Sequence, residues 1–456
     1  SFINGGTKYG LSLYNFIGNF TKSIKSLFVL TSFIMILGIF YILTHKYNHF
    51  PYIYKNLSIF ANIKTHKMDT ENLHIQIKTF FGLENTLADE IKKLGGRNVE
   101  TKNRAVTCIG DLGFLYKINY ASRLALKILV PIYEFKAFNN DKFYKKLVNF
   151  PWDEYLDLNQ TFAIDATIHS EKFTHSQFIT LKMKDAIVDF FNKKYKKRPN
   201  INTKNPDIKF SLHIDVDLVT ISLDSSGEPL YKRGYRREQG EAPINEVLAA
   251  GLLHIAGWDG KGNFLDPMCG SGTILIEAGM MAMELPAQIF RKKFAFQNWK
   301  NYDANLFEKI KEFRLNRIKE FTGKIIGYDI DYKMLILAKE NIAGADMEDL
   351  IEIRKQDFFD SKKDLFPLLI VFNPPYNERI SIHEEQFYKK IGDTFKNHYP
   401  NTLAWFITSD LEAGKKIGLR PSRKIKLFNG KLETRFFQFE MYEGTKKIHK
   451  GKEKNK

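Results

Sequence analysis

The stretch Gly262-Asn263-Phe264-Leu265-Asp266-Pro267-Met268-Cys269-Gly270-Ser271-Gly272-Thr273 decides how this chain folds. Its first residues form a short apolar run that reads as a buried strand ending at Asp266. Two glycines follow, and helical spacing takes over from Thr273 to Met283. A strand that turns through glycines straight into a helix opens a parallel α/β sheet. The glycines let the backbone pass close to a ligand, and a helix N-terminus favours a carboxylate. A dinucleotide fingerprint would need a third glycine where Leu275 stands, and a P-loop would need lysine where Thr273 stands. The loop therefore suits a ligand without a pyrophosphate.

The α/β pattern extends on both sides. Pro243 is expected to open a helix that closes near Gly257. Lys324–Asp329 reads as the second strand, with a helix from Tyr332 to Asn341. Ile351–Lys355, Leu368–Phe372 and Leu403–Ile407 are the third, fourth and fifth strands. Arg423–Phe428 and Glu433–Glu440 follow, with Asn429-Gly430, a strong hairpin signal, near their junction. A mostly parallel sheet that ends in an antiparallel hairpin is the architecture of class I methyltransferases. The amino-acid end of S-adenosylmethionine (SAM) is a ligand that the loop would accept.

Candidate functional residues fall at successive strand ends. Asp266, Gly270, Gly272 and Thr273 form the first loop. Asp329 ends the second strand, where an acidic side chain can accept hydrogen bonds from both ribose hydroxyls. Asp357 follows the third strand, placed to meet an adenine amino group. After the fourth strand comes Asn373-Pro374-Pro375-Tyr376. The Asn373 side-chain carbonyl and the Pro374 backbone carbonyl present two adjacent acceptors, and Tyr376 supplies a stacking face. That set suits gripping the exocyclic amine of a flat base. Cys269 reads as a small packed residue, because no cysteine lies near Asn373. The eleven histidines show no metal-ligand spacing, and no metal is expected.

The chain has 456 residues, enough for two or three domains, and 44% hydrophobic content, normal for a globular protein. Its formal net charge of +17 predicts a polyanionic partner, nucleic acid before membrane. Two cysteines, Cys108 and Cys269, cannot build a disulfide framework, which fits a reducing, cytoplasmic setting. Residues 69–121 read as strand, helix, strand (His74–Lys78, Leu83–Leu94, Ala105–Ile109). In 122–235, Phe162–Ala166 and Leu212–Leu218 alternate as strands around a helix, Phe178–Phe191. That helix runs into Lys193, Lys194, Lys196, Lys197 and Arg198, interleaved with Tyr195, which reads as a phosphate-contacting patch. Residues 26–44 are apolar and uncharged, long enough to span a membrane at about 19 residues. Met68 just precedes the first alternating strand. Residues 1–67 are accordingly expected to be an upstream extension of a protein starting at Met68. A genuine membrane anchor is the rival. The tail 446–456 is basic and expected to be disordered.

Taken together, Asp266–Glu277 (DPMCGSGTILIE), Gly327–Asp331 (GYDID), Asn373–Arg379 (NPPYNER) and Tyr231–Arg236 (YKRGYR) with Ala242-Pro243-Ile244 resemble the THUMP-containing RNA guanine-N2 methyltransferases. The insert Arg291–Trp299 is similar too. The resemblance spans about Leu73 to Tyr442 and is nearest to the guanine-N2 half of a large-subunit (23S) rRNA enzyme. It implies a ferredoxin-like piece over 69–121, a THUMP domain over 122–235 and a SAM-dependent methyltransferase domain over 236–445. The RNA partner would be 23S rRNA or a large-subunit assembly intermediate. Asn377 stands where the family usually has glycine, and Gly279 where alanine is common. Alternatives are a tRNA guanine-N2 enzyme, an adenine-N6 enzyme and a non-catalytic RNA-binding assembly factor.

Overall fold

Alternation shapes the N-terminal half. In β1 (Leu73–Lys78), Leu73, Ile75 and Ile77 are buried while the residues between them are not, so one face meets a core and the other meets solvent. Helix α1 (Glu84–Leu94) buries Leu87, Ala88 and Ile91 and stops at Gly95, which adopts a left-handed conformation and donates to the Ile91 and Lys92 carbonyls. The computed structural model describes residues 64–65, 71–236, 244–366, 368–375 and 384–442. The apolar segment 26–44, the tail 446–456, Pro243 and Tyr376 lie outside the described residues.

Strands β2 (Arg97–Lys102) and β3 (Ala105–Gly110) and helix α2 (Leu112–Ala121) complete the first segment. β4 (Lys127–Lys136), α3 (Asn140–Val148), β5 (Thr161–His169), α4 (Ser176–Tyr195), β6 (Asn200–Ile201), β7 (Ile208–Asp215) and β8 (Leu218–Asp224) follow. One sheet runs through both segments in the order β2-β3-β1-β4-β8-β7-β5-β6. β4 joins them, pairing with β1 through Lys127–Leu129 and with β8 from Leu129 to Lys136.

One sequence expectation is corrected here, and one strand is added. The alternating run Leu212–Leu218 is not one strand, because Val216 and Asp217 turn the chain and Asp215 pairs with Leu218. Alternation persists across the turn, and Val216 takes φ +56° without the glycine or asparagine that usually marks such a bend. β2 has no counterpart in the sequence reading, since its residues are almost all exposed and carry no apolar period.

The C-terminal half holds α5 (Glu246–Ala256), β9 (Asn263–Asp266), α6 (Thr273–Ala282), α7 (Ala304–Leu315), β10 (Ile325–Asp329), α8 (Tyr332–Gly344), β11 (Ile351–Lys355), β12 (Leu368–Phe372), α9 (Glu384–His398), β13 (Leu403–Thr408), β14 (Arg423–Asn429) and β15 (Leu432–Glu440). The sheet order is β11-β10-β9-β12-β13-β15-β14. All neighbours are parallel up to β13, and β15 and β14 are antiparallel. α5 starts at Glu246 rather than Pro243, because the Asn245 side chain caps it, accepting from the Val247 and Leu248 amides at 2.9 and 3.4 Å. α5, α6 and α8 share a core on one face of the sheet, and α9 packs on the other through Phe387, Tyr388, Ile391 and Phe395.

The two halves interlock. Leu83 at the start of α1 sits in the core of the C-terminal half. A Cβ on Gly251 of α5 would lie 2.6 Å from the Leu83 side chain, so glycine there permits the close approach. In return, Phe294, Phe296, Trp299 and Phe307, from the insert and α7, are buried in the core of the N-terminal half. Phe296 stacks on Tyr116 of α2 at 4.5 Å between ring centres, and its amide donates to the Ser225 carbonyl at 3.0 Å.

Candidate active site

β9, β10, β11 and β12 are mutually parallel neighbours, so the loops that leave their C-terminal ends open at one edge of the sheet. The chain moves outward from β9 in one direction to β10 and β11, then returns to add β12 on the other side. Ligands of open α/β sheets bind at such a reversal. Asp266, Asp329, Asp357 and Asn373 all stand at this edge.

The glycine loop is held from three sides. Cys269 donates its amide to the Tyr328 carbonyl at 2.8 Å. The Gly270 amide donates to Asp329 Oδ2 at 2.9 Å. From α8, the Asn341 side chain donates to the Ser271 carbonyl at 3.1 Å. Gly270 and Gly272 take φ of +53° and +80°, in the region that side chains rarely adopt. Beneath the loop, a Cβ on Gly327 would approach Leu275 to 2.4 Å and the Cys269 sulfur to 3.1 Å. Cys269 is thus packed against the strand floor, and burial pushes its thiol well up.

The predicted residues have distinct places. Asp329 Oδ1 accepts from the Asp331 amide at 2.9 Å, so its carboxylate bridges the glycine loop and the turn into α8. Burial raises its pKa, and these amides oppose the shift. Asp266 is 1% exposed, and its Oδ1 accepts from the Met268 amide at 3.2 Å. Burial raises its pKa well above the usual range, and the Asp329 charge adds to this. Asp357 caps the 3-10 turn Phe358–Asp360 by accepting from the Phe359 amide at 2.9 Å. Thr273 is buried, and its hydroxyl accepts from Arg236 Nη2 at 3.0 Å. Asn373 is half-buried and Pro374 buried at the end of β12, while Tyr376 falls outside the described residues.

The sequence reading missed the supports behind this edge. Arg233 and Glu277, both fully buried, pair at 3.2 Å, and the Tyr235 hydroxyl reaches Glu277 at 3.4 Å. Arg236 pairs with Glu246 at 2.9 Å. YKRGYR was legible as a motif, but nothing in it disclosed which acids it would meet. In the N-terminal half, Lys193, Lys196, Lys197 and Arg198 are exposed at the C-terminal end of α4. Lys194 differs, since it pairs with Asp153 at 2.5 Å, an acid also held by the Tyr195 hydroxyl. Among the described residues, no three His, Cys, Asp or Glu side chains group as metal ligands, and no helix is long and apolar enough to cross a membrane.

Comparison with known proteins gives the architecture a family. Residues 74–129 match the RlmL ferredoxin-like domain, 137–224 the THUMP domain and 233–438 the RMKL-like methyltransferase domain. A Synechocystis sp. protein named as a candidate RNA methyltransferase is 34% identical over 364 residues, covering 79% of this chain and 95% of that protein. The chain belongs to the THUMP-containing, RMKL-like methyltransferase family. A relative from Syntrophotalea carbinolica, named ribosomal RNA large subunit methyltransferase K/L, is 36% identical over 375 residues, covering 79% of this chain and 53% of its own length. The chain thus spans about half the length of that curated relative. The crystal structure of SMU.472, named as a candidate methyltransferase and complexed with SAH, matches with a TM-score of 0.74 and 27% identity, covering 82% of this chain and all of that one.

This RMKL-like family member carries a methyltransferase domain of the SAM-dependent class together with a THUMP domain. Its own residues fit SAM. The loop offers backbone at Gly270 and Gly272 with no side chain in the way, and the Asp329 carboxylate is fixed beside it by two amides.

Proposed function

We propose that the chain methylates the exocyclic N2 amine of a guanine in RNA, with large-subunit (23S) rRNA or an assembly intermediate as substrate, in the cytoplasm where ribosomes are assembled. One observation carries this reading. Asn373 and Pro374 leave β12 at the same sheet edge as the glycine loop leaving β9, and β9 and β12 are parallel neighbours. Names given to the relatives support the RNA class, and the insert Arg291–Trp299 and the motif Tyr231–Arg236 support the guanine reading. We read 69–121 as the ferredoxin-like piece, 122–235 as THUMP and 236–445 as the catalytic domain.

In this reading the loop Gly270–Thr273 takes the amino-acid end of SAM, Asp329 the ribose hydroxyls and Asp357 the adenine amine. SAM supplies a methyl group on a sulfonium. The guanine amine is a weak nucleophile because its lone pair is delocalised into the ring. Hydrogen bonds from that NH₂ to the Asn373 side-chain carbonyl and the Pro374 backbone carbonyl favour a pyramidal nitrogen and aim its lone pair. Tyr376 stacks on the extruded base, offsetting the cost of unstacking. The amine grows acidic as its new bond forms and releases its proton to solvent, so positioning carries much of the rate. Lys193, Lys196, Lys197 and Arg198 contact phosphates, with Lys194 beside them.

Asn373→Ala is expected to lose nearly all turnover in single-turnover assays while binding SAH as the parent does. Retained turnover would remove Asn373 from this role.

A further inference from the structure

The residues that follow the RNA-binding half clamp the helix that carries the glycine loop. Thr273 and Glu277 lie one turn apart on α6, and each is gripped by an arginine of the segment Tyr231–Arg236. Arg233 holds Glu277 through Nε at 3.2 Å, and Arg236 holds Thr273 through Nη2 at 3.0 Å. Arg233 also donates to the Arg123 carbonyl at 2.6 Å, and Arg123 donates to the Met280 carbonyl at 2.8 Å. The segment is therefore tied both to the end of α2 and to α6. Arg236 is fixed by Glu246 at the start of α5, through Nε at 3.0 Å.

We infer that Arg236 is a positioning residue for cofactor binding, holding Thr273 and with it the loop Gly270–Gly272 in the conformation that receives SAM. Stability alone is a poor reason for this arrangement. Arg236 and Glu246 are nearly buried, and Arg236 Nη1 is buried without a hydrogen-bond partner among the described residues. A buried ion pair that leaves a donor unsatisfied is on average no better for stability than apolar packing. It does deliver a fixed direction. Glu246 occupies the Nε–Nη2 edge of the guanidinium, and Nη2 then points its remaining proton at the Thr273 hydroxyl. Thr273 is the first residue of α6 and directly follows Gly272, whose left-handed backbone ends the loop. A shift of the Thr273 backbone moves the loop that the cofactor meets.

The inference rests on the family's use of SAM and is independent of which RNA base is methylated. Its test is SAH affinity by calorimetry, with the SAM and RNA KM values and kcat of the full chain, for Arg236→Ala, Arg236→Lys and Thr273→Val. Arg236→Ala should weaken SAH binding and raise the SAM KM by about 10-fold, leaving RNA KM within about twofold. Arg236→Lys should recover part of that loss. Thr273→Val keeps the Arg236–Glu246 pair and should give the same selective rise in SAM KM, which keeps the test decisive if Arg236→Ala does not fold. Unchanged SAH affinity in folded Arg236→Ala or in Thr273→Val would overturn the inference, as would equal losses for SAM and RNA. Failure of the guanine assignment would appear instead in the methylated product, with these affinity effects intact.

Discussion

Asp329 Oδ2 accepts the Gly270 amide at 2.9 Å, so one carboxylate locks the loop after β9 to the end of β10. The same carboxylate caps the turn into α8 through the Asp331 amide. Asp329 therefore shapes the glycine loop itself. Asp329→Ala strands both amides and should weaken SAH binding by about 1.5–3 kcal/mol, read by calorimetry. Asp329→Asn should lose less, because its amide oxygen can still accept one of the two bonds.

Asp266 gives a pH signature. Its folded pKa is raised, by burial first and then by the Asp329 charge. A raised carboxyl contributes stability that is fully present below its unfolded pKa of about 3.9 and is lost as pH rises through the folded value. Asp266→Asn cannot ionise and still accepts the Met268 amide. The variant should be more stable than the parent at pH 8 by on the order of 1 kcal/mol, with the gap closing toward pH 4. Urea midpoints at the two pH values measure it, and a gap that widens toward acid would contradict the sign.

The Arg233–Glu277 pair is fully buried. Removing one partner leaves the other charge uncompensated, so Glu277→Gln should cost about 3–5 kcal/mol in urea unfolding. Replacing both, as Arg233→Met with Glu277→Leu, should cost clearly less than that single change. A double variant at least as damaged as the single one would mean that the hydrogen bonds of Arg233 to the Leu230 and Arg123 carbonyls matter more than the ion pair.

The basic run at the end of α4 is not uniform. Lys197 is exposed, whereas Lys194 is already engaged by Asp153. Lys197→Glu should weaken RNA binding and make the salt dependence shallower, by roughly 0.7–0.9 in log–log slope for each phosphate that is no longer neutralised. Lys194→Ala should do less. Filter binding across a salt series separates the two, and equal effects would show that Asp153 releases Lys194 to the RNA.

Much of the catalytic half was legible because its elements carry strong local signals. β11 and β12 match the sequence reading residue for residue, since short apolar strands bounded by polar loops leave little choice. Asn429-Gly430 marked the hairpin correctly, with Asn429 pairing with Leu432. The N-terminal half was harder. β4 belongs to two segments at once, which no local pattern reveals, and β2 is an exposed strand that pairs with β3. At the C-terminal edge of the sheet, the sequence shows the acids at strand ends but not their burial. Asp266 and Asp329 look alike in sequence, yet one is fully buried and the other holds the loop through the Gly270 amide. The arginine clamps depend on contacts between residues more than thirty positions apart, such as Arg236 with Thr273, and only the fold brings these together.

The most direct test of the account is methyl transfer from labelled SAM to unmodified 23S rRNA and to tRNA, followed by nucleoside analysis of the product. The account predicts N2-methylguanosine in 23S rRNA, absent when Asn373 is replaced by alanine. N6-methyladenosine, 7-methylguanosine or a product confined to tRNA would contradict it.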